Sequence, residues 1–397
     1  MIHQIQAFNA GRDPERLKIK YSKMRSNAFV FMRGSCHLFY GQLPDESIFK
    51  SAPLTWVCGD LHLENFGSYK GDNRLAYFDV NDFDESVLAP ASWDLLRMLT
   101  SIWVGAESLS LSRSEAATLC KVFLESYCDS LAHGKAYWVE RDTSQGLIGQ
   151  LLDELRSRER GDFLDSRTQT KGKKRLILID GKKALEPSKK QRASVEDFLA
   201  VFAKTQTNPD FYEVRDVARR IAGTGSLGVE RYVILVKGKG GNDGNYLLDL
   251  KQSLPSSLVP YLSTKQPKWE THAHRGVAIQ RRFQAVSMAF LHPVHLDNGP
   301  YVLRDLQPSE DRISLDHACQ SIDALKQSIQ TMGKIVAWSQ LRSSGREGSA
   351  ISDELISFGQ HTDWCEQLLA ASEACAQQVE EDSNTFNAAF DDGAFRQ

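Results

Sequence analysis

The stretch Val57-Cys58-Gly59-Asp60-Leu61-His62-Leu63-Glu64-Asn65-Phe66-Gly67 constrains this chain more than any other part of it. An apolar run from Thr55 to Cys58 stops at Gly59. A carboxylate, an imidazole and an amide follow, the amide five residues past the carboxylate. After a Gly71-Asp72-Asn73 turn, Leu75 to Val80 reads as a second strand running into Asn81-Asp82-Phe83-Asp84-Glu85. A single Asp in such a place would be read as a turn or helix-cap acid. Asp79, Asp82, Asp84 and Glu85 together in one short stretch point to a site that handles charge.

Phosphoryl transfer asks a protein for positioned metal and positioned charge, with little covalent chemistry. Asp60-x4-Asn65 has the spacing of a kinase catalytic loop, in which the Asp accepts the acceptor's proton and the Asn binds Mg2+. The region resembles the aminoglycoside- and choline-kinase branch of the protein-kinase-like superfamily. The matching pieces are Gly59-Asp60-Leu61-His62, Asn65, Asp82-Phe83-Asp84 and Pro90-Ala91-Ser92-Trp93-Asp94-Leu95, with Cys58 standing where a His is usual. The resemblance implies Asp60 as the catalytic acid and Asn65 as a metal ligand. Spacing from Asp60 favours Asp79 as the second ligand. Spacing back from Asp94 and the Asp-Phe-Asp context favour Asp82, which we prefer, with Asp79 and Asp84 in reserve.

The whole chain more closely resembles a bacterial family known as domain of unknown function 2252. Phe31-Met32-Arg33-Gly34, Cys58 to Gly67, Phe78 to Glu85, Gly223 to Gly228, Leu248 to Lys251 and Ala376-Gln377-Gln378 carry that likeness. It names a family without naming a reaction.

At 397 residues the chain is long enough for two or three domains, and 41% apolar with 25% charged residues is an ordinary globular balance. A net charge of −3 argues against nucleic acid as the main partner. No apolar run reaches a membrane span, and Met1-Ile2-His3-Gln4 opens no signal peptide, so a cytoplasmic protein is expected. The seven cysteines (36, 58, 120, 128, 319, 365 and 375) are scattered, without a Cys-x-x-Cys pair, and read as reduced thiols.

Residues 1–24 are expected to form a polar, basic strap. Phe29 to Tyr40, Trp93 to Val104 and Ser112 to Ala132 read as helices. Arg33 is the odd charge in the first of these and a possible phosphate or substrate clamp, as is His62. Residues 167–192 hold ten Lys or Arg against two acids around an expected hairpin turning at Asp180-Gly181, either a solvated excursion or a flap for acidic substrates. A helix over Phe211 to Ile221 is expected to lead into Gly223-Thr224-Gly225-Ser226-Leu227-Gly228, and strands Arg231 to Val236 and Tyr246 to Leu250 follow, ending on Lys251.

Glycines before a strand suit a kinase flap over phosphates, not a dinucleotide fold, which needs them after a strand and before a helix. The expected nucleotide set is therefore Gly223, Gly225, Ser226, Gly228 and Lys251. The helix expected at His272 to Leu291 contains no Glu to pair with Lys251, and Glu270 is the nearest. Pro300 to Leu306 reads as a strand between lobes, suited to an adenine. Asp316 to Arg342 and Ser352 to Ser383 read as helices before a frayed end.

Asp60 precedes Gly223 by more than 160 residues, the reverse of kinase order. The expectation is an α+β, protein-kinase-like two-lobe fold in circularly permuted order. Residues 1–24 are the strap and 25–205 a helical catalytic half carrying the basic hairpin. Residues 206–310 are a sheet-rich nucleotide half, and 311–397 are helices returning to the first. The function implied is an ATP- and Mg2+-dependent phosphotransferase acting on a small-molecule or protein hydroxyl, AMP transfer remaining open. Two alternatives stand beside it: a non-catalytic nucleotide-binding module, suggested by Cys58 and the missing helix Glu, and a dinuclear metallophosphoesterase built on Asp60-x-His62.

Overall fold

The computed structural model describes residues 1–172, 174–296, 299–307, 312 and 321–395. The N-terminal strap is two helices, α1 (Ile2–Phe8) and α2 (Pro14–Met24). Asp13 caps α2 by accepting from the Arg16 N–H at 2.9 Å, and Pro14 at the first position needs no donor partner. Ile5, Leu17, Tyr21 and Met24 are buried, so this segment is part of the body. Helices α3 (Ala28–Gly34), α4 (Cys36–Phe39) and α5 (Ile48–Ser51) follow.

The chain then makes β1 (Leu54–Val57), the hairpin β2 (Phe66–Lys70) and β3 (Ala76–Val80), and β4 (Val87–Pro90), which pairs antiparallel with β1. Helix α6 (Ser92–Gly105) leads to α7 (Arg113–His133), started by the Ser112–Glu115 capping box and ended by Gly134 at φ +71°. Strand β5 (Val139–Glu140) extends the β2–β3 hairpin, and helix α8 (Gly146–Ser157) follows.

Helix α9 (Arg160–Asp165), strands β6 (Thr168–Lys171), β7 (Lys174–Ile177) and β8 (Ala184–Leu185), and helix α10 (Lys189–Ala203) belong by packing to a large sheet. That sheet adds β9 (Val214–Arg220), β10 (Arg231–Val236), β11 (Tyr246–Gln252), β12 (His292–Leu296) and β13 (Gly299–Asp305), with α11 (His272–Phe283) between β11 and β12. Its order is β12-β13-β11-β10-β9-β8, antiparallel throughout. Alternation along β10 sends Tyr232, Ile234 and Val236 to the face under α10, where Val195 and Leu199 meet them. Val233 and Leu235 go to the other face with Leu164, Ile177 and Leu247.

Helices α12 (Ile322–Ser343), α13 (Ser352–Gln360) and α14 (Trp364–Asp391) return to α6 and α7. Leu99, Phe123, Met332, Leu355 and Leu368 share that core. The fold is α+β. Among the described residues no helix is long and apolar enough to cross a membrane.

Several expectations are corrected. The helix expected at 211–221 is a short 3-10 turn and β9. The charges that suggested a helical surface are paired instead, Asp216 with Arg192 at 2.6 Å and Arg219 with Asp13 at 2.8 Å. The strand at Arg175 pairs back on β6 through Gly172, while the Asp180 carboxylate gathers three backbone N–H groups to aim the chain into β8. Within the basic segment Arg175 is buried and paired with Asp165 (2.5 Å) and Asp243 (3.0 Å), while Lys171, Lys174, Lys182, Lys183, Lys189 and Lys190 are exposed.

The helix after Lys251 ends at Phe283, capped by Gln284. Strand β13 lies between β11 and β12, with Tyr301–Asp305 paired to the former and Gly299–Leu303 to the latter. The C-terminal helix runs on to Asp391, paired with Arg25 at 2.7 Å, instead of fraying. Residues 316–320 of the expected helix and Cys319 lie outside the described residues. The other six cysteines are free thiols.

Candidate functional site

Strand β1 delivers the chain to Gly59, whose φ of +83° and close approach to the Glu85 carbonyl leave no space for a Cβ. Asp94, in the first turn of α6, accepts from the Cys58 and Gly59 N–H groups at 2.8 and 2.9 Å. Burial pushes this carboxyl up to about 6 against the pull of those amides. Gly59→Ala is expected to cost about 2 kcal/mol or more of stability. Urea unfolding measures this, and an unchanged midpoint would contradict it.

The Asp60 carboxylate faces the cavity beyond. Its Oδ1 accepts from Arg97 Nε at 2.8 Å and Nη2 at 2.5 Å, and Arg97 is itself fixed by the Met32 carbonyl at 3.0 Å. Arg97 lies three residues past Asp94, on the same face of α6, so one helix both braces the loop and orients its acid. Asn65 staples the two acidic segments together. Its Nδ2 donates to the Asp60 carbonyl at 3.0 Å and its Oδ1 accepts from the Asp82 N–H at 2.9 Å.

His62 is buried, its Nδ1 accepting from the Glu64 N–H at 3.1 Å and its ring edge-on to Phe29. Burial, helped by Arg33, Arg97 and Arg312, holds it neutral, well below its ordinary value. Arg33 lines the cavity but is ion-paired with Glu64.

Lys251, near the end of β11 and 4% exposed, meets Asp82 at 3.6 Å and forms an ion pair with Asp84. Burial works against the Asp82 charge, but Lys251 with Arg304, Arg231 and Arg312 holds its carboxyl below the ordinary range. The partner that α11 does not supply thus comes from the acidic loop. Glu270 is engaged with His274 at 3.3 Å, and α11 contributes Arg275 instead, donating to the carbonyls of Asp84 at 2.7 Å, Leu254 at 3.1 Å and Ser86.

Asp79 is not in the cavity. Its Oδ1 accepts from the Val80 N–H at 2.8 Å and its Oδ2 meets Arg342 at 3.4 Å. Burial pushes this carboxyl from 3.8 up to about 6. A carboxyl raised on folding contributes stability below its unfolded value and loses it as pH rises through the folded one, here from about pH 4 to 6. Asp79→Asn is expected to flatten the fall in thermal midpoint over that interval, a fall to which Asp94 also contributes. An unchanged slope would contradict the burial argument.

The glycine segment joins β9 to β10. Gly223 (φ +76°), Thr224, Gly225 and Ser226 line the cavity. A Cβ on Gly225 would stand 2.9 Å from the Arg33 carbonyl. From behind, the Gly225 carbonyl accepts from Lys20 at 2.8 Å and Arg12 at 2.9 Å, so the N-terminal helices fasten the loop. Gly228 (φ +88°) is turned toward Arg12 and Leu17, and its carbonyl accepts from the Asp13 N–H at 2.9 Å.

One cavity of about 540 Å³ is lined by Asp60, His62, Asn65, Asp82, Asp84 and Gly223 to Ser226. Glu85, one of the four clustered acids, lines it too, as do Arg12 and Arg312, which were not foreseen from sequence. Among the described residues no group of three or more His, Cys, Asp or Glu side chains is arranged to hold a metal ion. The donors present, two carboxylates beside an amide, fit Mg2+, which takes one or two carboxylates and completes its shell with phosphate and water.

A family model described as "Uncharacterized protein conserved in bacteria (DUF2252)" matches residues 12–389. No curated protein and no solved structure matches. Because the match spans nearly the whole sequence, the chain belongs to the DUF2252 family of bacterial proteins.

Proposed function

We propose that this protein is an ATP- and Mg2+-dependent phosphotransferase acting on a hydroxyl, with a kinase-like arrangement in permuted order. One observation carries the reading: the glycine loop, Asp82, Asp84 and Asp60 line one cavity, and Lys251, about 190 residues from Asp60 in sequence, sits behind its acidic wall, ion-paired with Asp82 at 3.6 Å and with Asp84. In kinases a glycine-rich loop covers the phosphates and a lysine on the third strand binds them. Here the loop joins the first two strands of the β9–β10–β11 meander, and Lys251 is on the third.

In this reading Lys251 and the amides of Gly223 to Ser226 hold phosphate oxygens. Asp82 and Asp84 would hold Mg2+, with Asn65 fixing their segment. The ion, when bound, neutralises charge developing on the phosphates. Asp60, oriented by Arg97, takes the proton of the acceptor hydroxyl as its oxygen bonds to the γ-phosphorus and the bond to the β-phosphate breaks, releasing ADP. The non-phosphate contacts of Asp60 and His62, to Arg97 and to the Glu64 amide, favour this over a two-metal hydrolase.

Transfer of AMP, with the nucleotide reversed, is the second reading, because the cations beside the lysine serve either orientation of the nucleotide. Asp249, two residues before Lys251 on the same face of β11, is met by Arg231 at 2.6 Å, Arg220 at 2.9 Å and Arg304 at 3.3 Å. Three guanidiniums for one carboxylate leave surplus positive charge on the sheet beside the lysine. ATP labelled at the γ- or the α-phosphate decides between the two. Label transferred only from the γ position supports phosphate transfer, and label from the α position supports AMP transfer.

A further inference from the structure

The turn between α1 and α2 lies against the glycine loop and brings Arg12 to the cavity wall. Arg12 Nη1 donates to the carbonyls of Gly225 at 2.9 Å and Leu227 at 3.4 Å. The guanidinium sits over the Phe8 ring, 4.7 Å from its centroid. These contacts fix the group but use only one of its nitrogens. Nε and Nη2 have no hydrogen-bond partner among the described residues, and neither is sealed from solvent.

No carboxylate among the described residues pairs with Arg12. Its neighbour Asp13 is held by Arg219 at 2.8 Å and Arg16 at 3.4 Å, and Glu15 by Arg219 at 2.7 Å. Glu85 and Asp84 act on its charge from beyond ion-pair distance. The loop that Arg12 touches has spare donors of its own. The N–H groups of Gly223, Thr224, Gly225 and Ser226 make no hydrogen bond among the described residues, although Thr224 is buried. Buried backbone donors are nearly always paired. Four in a row beside an unpaired guanidinium suit an anion with several oxygens.

We infer that Arg12 is a phosphate-binding residue, that it and these four amides hold the polyphosphate chain of a nucleotide, and that the N-terminal helices are thereby part of the site. The identity of the anion as a nucleotide's phosphates rests on the transferase reading, whereas the anion site rests on the donors alone. Asp82 and Asp84 line the same cavity and repel bare phosphate, so the chain needs Mg2+ at the acids as well as Arg12 at the loop. Lys20 donates to the same Gly225 carbonyl at 2.8 Å, which keeps the loop tethered when Arg12 is replaced.

The test is calorimetric titration of the full chain, in Mg2+, with tripolyphosphate and with ATP. Both should bind the wild type. Arg12→Gln keeps an amide donor for the Gly225 carbonyl but loses the charge, and should weaken both ligands roughly tenfold or more. Arg12→Lys keeps the charge and should lose less. Were Arg12 only a tether for the loop, Gln would serve as well as Lys. Thermal midpoints report on the folding of both variants. In the wild type, the Arg12 Nε–H resonance should move when tripolyphosphate is added, and this decides the matter if a variant does not fold.

No binding of tripolyphosphate by the wild type, undiminished affinity in a folded Arg12→Gln, binding by Gln as tight as by Lys, or an Arg12 resonance indifferent to tripolyphosphate would each overturn the inference. Its failure separates from that of the transferase reading. Mg2+-ATP binding and turnover that persist in Arg12→Gln remove the role of Arg12 and keep the transferase. Tripolyphosphate binding that depends on Arg12, without turnover of ATP, keeps the anion site and removes the transferase.

Discussion

Asp60→Asn is expected to slow transfer by about a hundred- to ten-thousand-fold, the usual range for losing a positioned general base. Asn can still accept from Arg97 through its amide oxygen, so the buried guanidinium keeps a partner and the loop keeps its shape. Nucleotide affinity should change by no more than a few fold, because Asp60 acts on the acceptor hydroxyl. Slow ATP hydrolysis read beside Mg2+-ATP binding makes the check before an acceptor is known. Full hydrolysis by Asp60→Asn would count against its role. A large loss of nucleotide affinity would move Asp60 from the acceptor to the phosphates.

Lys251→Met is expected to weaken Mg2+-ATP binding roughly ten- to hundredfold, the worth of charge-assisted bonds to phosphate. The substitution also removes the cation that holds Asp82 and Asp84 together, so their mutual repulsion rises. Both side chains are more than a third exposed, and water screens much of that repulsion. The main loss should therefore be in binding, with a modest fall in thermal midpoint. Unaltered nucleotide affinity would leave Lys251 as a structural counter-ion and nothing more.

The Asp60 loop and the strand–turn–strand after it were legible because their polar residues interrupt apolar runs at fixed spacing, and local pattern carries that information. Capping was legible for the same reason, as Ser112 and Glu115 show. Strand β9 was not legible. Its charged residues mimic a helical surface, and only their partners Arg192, Asp13 and Asp249, far away in sequence, explain a strand.

The lysine's partner was missed for a related reason. A search confined to the helix after β11 finds no Glu, whereas the carboxylates come from Asp82 and Asp84, about 170 residues earlier. Asp79 and Asp82 looked interchangeable along the chain. The end of β3 separates them, turning Asp79 toward Arg342 and Asp82 toward the cavity.

The most direct measurement is calorimetric titration of ATP into the full chain with Mg2+ and with the metal chelated, repeated for Asp82→Asn. Expected is saturable one-to-one binding that needs Mg2+ and is weakened roughly tenfold or more by Asp82→Asn. Binding that ignores both the metal and Asp82, or no binding of ATP under either condition, would contradict the assignment of this cavity to Mg2+-nucleotide chemistry.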